Sequence, residues 1–367
     1  MSGFEMCSAK PTNPYADLPP KAFWKSAVAA HNSLEISELW TPEFAVRPSD
    51  KVVTAGSCFA QHFSRALSAR GYNWFDAEPA PALLTEEQAR SFNYGIFSTR
   101  TGNIYTARML RQWLELAFGE TDMQSSEWDE VWETEGRFQD PLRPVIEPGG
   151  FVSPDELFSA RRATLAALRN ALRQADVFVF TMGLTESWRN RYTGLEYAMC
   201  PGTAGGVFDA GQHVFCNQRY SEIHADMNAA LRILREQNAN LKVLLTVSPV
   251  PLTATASGEH VLTATSYSKS VLRSVAGDLA ADLDGVDYFP SYEIITHPAF
   301  RGMFYAPNQR SVISKGVDHV MESFFAAQQA RFPQKSVRGR GKGQVGAGDR
   351  SDRAIKCEEE MLDAFAR

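Results

Sequence analysis

Two nucleophile-capable side chains stand next to each other at Ser57 and Cys58, inside the stretch VVTAGSCFAQHF of residues 52–63. A thiol attacks a carbonyl carbon as its thiolate, and a hydroxyl does so once a base takes its proton; either leads to a covalent acyl intermediate. Both readings require that the turn open onto a crevice and that a base reach it. The competing reading is structural: cysteine is among the most often buried residues, so Cys58 fills a core gap while Ser57 caps the helix that follows.

A second polar cluster lies in TMGLTESW, residues 181–188. Gly183 allows close backbone approach, and Thr185, Glu186 and Ser187 set polar groups just past an apolar run. The alternative here is a helix N-terminus with Thr185 as cap and Glu186 in the first turn. For the base, His260 sits in the long loop TATASGEHVLTATSYSKS and His297 in YEIITHPAF. His62 is one turn into the first helix, His319 belongs to a helix pattern, and His31, His213 and His224 have no positional argument. Lys269 and Arg273, on the helix after the His260 loop, read as a solvated face.

The elements that must position these groups follow from hydrophobic periodicity. Continuous apolar runs at 51–57, 176–183, 242–250 and 286–290 predict strands, and amphipathic stretches at 159–175, 220–238, 265–283 and 314–332 predict helices. Strands without polar alternation, interleaved with helices of this length, predict a three-layer α/β/α sandwich around a doubly wound, mainly parallel sheet. In such a sheet ligands bind outside the carboxyl ends of the strands, which puts Ser57 and Cys58 on the crevice beneath a helix N-terminus that favours a thiolate. The expected organisation is an extension over 1–44, an α/β domain over 45–333, and a tail over 334–367. Within the domain, 85–150 reads as an insertion or lid with a Thr106-capped helix and a hairpin.

The 367 residues carry a formal charge of −6, 44% hydrophobic and 22% charged residues, which argues against a nucleic-acid protein. Five cysteines, at 7, 58, 200, 216 and 357, show no CxxC spacing and imply a reducing compartment. No long apolar run suggests a membrane span or export signal, so a cytoplasmic protein is expected. From Gln334 the chain turns basic and Gly-rich, which predicts disorder and at most weak nucleic-acid contact, ending in a short helix within CEEEMLDAFAR. Gly341, Gly343 and Gly346 spell GxGxxG without a preceding strand, which excludes a dinucleotide loop.

GSCFA at 56–60 resembles the motif of the GSCFA family, a branch of the SGNH (GDSL-like) hydrolases; FTMGLTESW, LTVSPV and YFPSYEI stand in the matching order. The resemblance implies a flavodoxin-like fold with Gly56, Ser57 and Cys58 in the place of Gly-Asp-Ser, making Cys58 the nucleophile. The oxyanion-binding asparagine of the Gly-x-Asn-Asp block falls on Thr185, two residues after Gly183, and the glycine of the second block on Gly95, with Asn93 beside it. The final Asp-x-x-His has no counterpart in FYAPNQRSVISKGVDHV, so His260 or His297 is expected as base and Glu186 as its orienting partner. The implied activity is an esterase or O-acyltransferase on a small or carbohydrate ester, with no resident cofactor and acyl-CoA as one donor. The alternative is a binding or scaffold protein that kept the sheet and lost turnover.

Overall fold

The computed structural model describes residues 13–119, 129–333, 355 and 357–366. Four strands, β1 (Val52–Gly56), β4 (Val177–Met182), β8 (Lys242–Val247) and β9 (Val286–Tyr288), lie in the order β1-β4-β8-β9, all parallel. Their side chains alternate between two cores. Val53, Phe178, Phe180, Val243, Leu245 and Val286 enter one, and Val52, Val177, Val179 and Leu244 the other.

The helices cover both faces accordingly. On the first side lie α3 (Ala107–Phe118), α4 (Pro154–Gln174), α5 (Tyr220–Gln237) and α6 (Val261–Asp282), through Trp113, Leu165, Leu231 and Leu272. On the second lie α1 (Ala60–Ala69), α7 (Ser291–Thr296) and α8 (Ser314–Arg331), through Phe63, Ile294 and Phe324. The chain thus changes face between β1 and β4. Thr106 accepts from Met109 N to cap α3, as its sequence predicts, and Ser153 with Pro154 opens α4 five residues ahead of the predicted start at 159.

Two strands end early because prolines follow: β8 stops before Pro249 and Pro251, and β9 before Pro290. The region 85–150 holds a short α2 (Glu86–Ser91), α3, and a hairpin of β2 (Trp132–Thr134) and β3 (Arg137–Gln139), with Glu135 and Gly136 both at positive φ in the turn. At its base Asp140 is fully buried between Arg143 (2.9 Å) and Arg161 (2.6 Å). A second sheet was not legible in the sequence: β5 (Glu186–Asn190) pairs antiparallel with β6 (Glu196–Tyr197) and β7 (His213–Asn217). Among the described residues no helix is long and apolar enough to cross a membrane. The basic stretch 334–354, with Gly341, Gly343 and Gly346, lies outside the described residues, whereas Glu358–Phe365 forms the expected short helix, a 3-10 one.

Candidate active site

The turn after β1 is built around a glycine. Gly56 has φ +130°, and a Cβ there would lie 2.3 Å from the backbone oxygen of Thr181 on β4, so no other residue fits. Ser57 N then donates to that oxygen at 2.9 Å, stitching the turn to the neighbouring strand. The segment Asn103–Tyr105 crosses both strand ends: Ile104 N donates to Gly56 O (2.8 Å), and Gly183 N to Tyr105 O (2.9 Å). A Cβ on Gly183 would approach Tyr105 O to 2.9 Å and Ser57 Cβ to 3.1 Å, so the two predicted rims do meet.

Cys58 lies at this junction, just before α1, but it is covered rather than open, with 5% of its surface accessible. Its S–H donates to the sulfur of Cys357 from the C-terminal segment. That bond, followed by burial and the negative charge of Glu359, pushes the Cys58 thiol well above its ordinary range; the same bond lowers Cys357. This corrects the expected low-pKa thiol, because a neighbouring sulfur outweighs the helix terminus. Ser57 does not cap α1: Phe59 holds the cap position, and among the described residues the buried Ser57 hydroxyl has no hydrogen-bond partner.

Around the two sulfurs stands a set of cations and donors. Arg310 Nη2 lies 3.6 Å from the Glu359 carboxylate and 4.0 Å from Cys357 Sγ. Lys269 is 1% exposed, which corrects its reading as a solvated face; its Nζ donates to Gly183 O at 2.6 Å. Burial draws the Lys269 ammonium down to about 8, with Glu359 and Cys58 pulling the other way. Asn103 and Tyr105 both donate to Glu358 Oε2, the Tyr105 bond at 2.9 Å, while Gln61 Nε2 donates to Asn103 Oδ1 at 3.3 Å. Glu359 itself is buried and raised by that burial, although Arg310, Lys269 and Thr253 N–H oppose it. Asn103, Tyr105 and Arg310 therefore hold two carboxylates beside a thiol.

The other residues singled out in the sequence serve elsewhere. His260 is exposed and its Nδ1 accepts from Leu262 N, capping α6; His297 Nδ1 accepts from Ala299 N, and its ring packs at 5.6 Å on Trp24. Among the described residues neither ring bonds to the Ser57–Cys58 turn. Thr185 is not a helix cap but leads into β5; its hydroxyl donates to Asn217 at 2.7 Å and its N–H to Ser268, which leaves it no proton for an oxyanion. Glu186 accepts from Thr255 Oγ1 at 2.6 Å and is raised by burial, so it orients a loop and not a histidine. Asn93 donates to the carbonyls of Val145 and Ile146, and both it and Gly95 take positive φ in a structural turn. His319 packs on Phe304, as a helix residue should.

Next to the thiols a cavity of about 260 Å³ opens between β5–β7, Leu252–Ala256 and α3. Leu184, Trp188, Met199 and Phe215 line it with the buried carboxyls of Glu186 and Glu196, and Leu362 and Phe365 of the C-terminal segment reach it. Tyr105 and Glu359 border both this cavity and the thiol cluster.

Sequence reasoning missed Asn103, Tyr105, Lys269, Arg310 and the segment Cys357–Glu359. Gly102 and Asn103 end the stretch that contains Asn93 and Gly95, so a Gly-Asn pair ten residues on was the better signal. Lys269 had one clue, being a lysine at an inward position of α6 between Ser268 and Leu272. Nothing in the sequence marks Arg310.

The GSCFA family model matches residues 51–324, three quarters of the chain. No curated protein matches it significantly.

Proposed function

The chain belongs to the GSCFA family, and we propose that it is an SGNH-like esterase or O-acyltransferase acting through an acyl-enzyme on Cys58. The observation that carries this reading is the grip of Asn103 and Tyr105 on a carboxylate beside a thiol at a strand-to-helix turn. Donors that hold a carboxylate oxygen are arranged to hold the oxyanion of a tetrahedral intermediate, each worth about 2.7 to 4 kcal/mol in comparable sites. Support for the SGNH likeness comes from the sheet: Trp74 bridges Val52 in parallel, giving the spatial order of a flavodoxin-like sheet, 2-1-3-4-5.

In this reading Lys269 takes the proton of Cys58 in place of a histidine. A lysine drawn down to about 8 is partly neutral near physiological pH, as a general base requires. The thiolate attacks an ester or thioester carbonyl, and Asn103 and Tyr105 hold the developing oxyanion. The leaving alkoxide or thiolate receives its proton from Lys269; water or an acceptor hydroxyl, such as that of a carbohydrate, then releases the acyl group. The apolar cavity suits the acyl chain, and acyl-CoA remains one candidate donor. A reducing, cytoplasmic setting fits a site that depends on free thiols.

The second reading, a binding or scaffold protein, is favoured by one observation: the Cys58 thiol is covered and its acidity suppressed. Intact-mass trapping with a p-nitrophenyl ester and a small thioester separates the two. An acyl adduct on wild type and Ser57→Ala, lost in Cys58→Ala, supports the enzyme. No adduct with either, and none with a fluorophosphonate, leaves the binding reading.

A further inference from the structure

The C-terminal segment runs across the site as a ligand does. Cys357 meets Cys58, Glu358 takes Asn103 and Tyr105, Glu359 takes Arg310, and Leu362 and Phe365 reach the apolar cavity. Glu358 and Glu359 are 8% and 7% exposed, in a composition rich in acid that otherwise belongs in water. The partners match in order: donors and a cation for the acids, then an apolar hollow for the apolar residues. A segment with surface function only would leave the carboxylates solvated.

We propose that Cys357–Phe365 is a self-docking strap for this groove, and that the Cys58–Cys357 thiol pair is its latch. The groove is thereby assigned a ligand class: an acidic segment carrying a thiol and followed by apolar residues, supplied in cis. While docked it covers the reactive sulfur and fills the oxyanion donors. The latch closes with a disulfide oxidant such as glutathione disulfide. The Cys357 thiolate attacks one sulfur of the oxidant and releases one glutathione thiolate, which takes up a proton. Cys58 then loses its proton and attacks the Cys357 sulfur, releasing the second glutathione. Two protein thiols and one oxidant disulfide become one protein disulfide and two free thiols, and a dithiol reductant reverses the exchange.

This inference rests on Cys58 as the reactive group of the site only for its consequence; its test reads thiol chemistry and not turnover, so the two can fail separately. Full-length reduced protein is alkylated with iodoacetamide, and modification of Cys58 is followed by peptide mass spectrometry. Modification is expected to be slow in wild type and about tenfold faster in Glu358→Ala/Glu359→Ala, the factor that about 1.4 kcal/mol of lost docking yields. Leu362→Asp, at the other end of the segment, is expected to act in the same direction. Glutathione disulfide is expected to join the Cys58 and Cys357 peptides within one chain, reversibly with dithiothreitol, and not in Cys357→Ser. An unchanged Cys58 rate in both sets of variants overturns the proposal. So does a covalent dimer, or glutathione adducts in place of the internal link.

Discussion

The ammonium of Lys269 donates to the carbonyl of Gly183 at 2.6 Å, holding a buried cation on the glycine that packs against Ser57. Burial lowers this group to about 8, so it sheds its proton between pH 7 and 9. If Lys269 is the base of the proposed acyl-enzyme chemistry, the rate of acyl-enzyme formation, measured by stopped-flow against pH, should rise through that window. Lys269→Met should lower it by about 10²- to 10⁴-fold, the range of a lost general base, and remove the inflection.

The thiol bond between Cys58 and Cys357 makes an opposite prediction for the free sulfur. Because the folded state raises the Cys58 pKa above its ordinary 9.0, its labelling stays slow at pH 8 and climbs only in more alkaline solution. Cys357→Ser and Glu359→Gln each remove a cause of the shift, so the labelling curve should move toward lower pH in both.

Asp140 tests the insertion. Burial alone would raise its carboxyl, but Arg161 and Arg143 more than reverse this, and the folded value lies below the ordinary one. Its stabilising contribution is therefore present above about pH 4 and lost as pH falls further. Asp140→Ala leaves two buried guanidinium groups without their acid, and urea denaturation should show a loss of about 3 to 5 kcal/mol.

His62, one turn into α1, is held neutral: burial lowers it to about 4, with Arg65 adding to the shift. A depressed imidazole contributes stability that is full above pH 6.5 and lost as pH falls toward 4. A thermal-melt series from pH 7.5 to 4.5 should decline in wild type, by up to about 3 kcal/mol, and more gently in His62→Gln.

Gly56→Ala would drive a methyl group to 2.3 Å from the Thr181 carbonyl in a backbone conformation that alanine rarely adopts. Because the contact is with backbone, neither neighbour can rotate aside. We expect a loss of more than about 3 kcal/mol, measured by chemical denaturation, or an insoluble chain.

Much of the scaffold was readable because parallel strands buried on both faces leave a plain apolar run, as VFVFTM does at β4. The turn at Gly56 was readable too, since an apolar run ends there and helical spacing begins just after it, although the steric demand for glycine comes from Thr181 on β4. The second sheet was not: its strand β5 mixes glutamate, serine, tryptophan and arginine, and its partners lie far along the chain. For the histidines, position along the chain says which loop carries a ring and not where the ring turns; His260 and His297 each accept from a backbone N–H two residues on. Cys357 and its acidic neighbours read as a solvated tail because composition records charge without recording a complementary surface elsewhere.

The short run Asn103–Tyr105 is tied to β1 through Gly56 and to β4 through Gly183. Such a clamp fastens the donors Asn103 and Tyr105 to the strand ends beside Cys58, so in the proposed mechanism backbone hydrogen bonds set the spacing between oxyanion donors and sulfur before any ligand arrives. Under that proposal selectivity arises from what enters the groove, and a ligand shaped to this spacing gains affinity because less ordering is left to be done on binding.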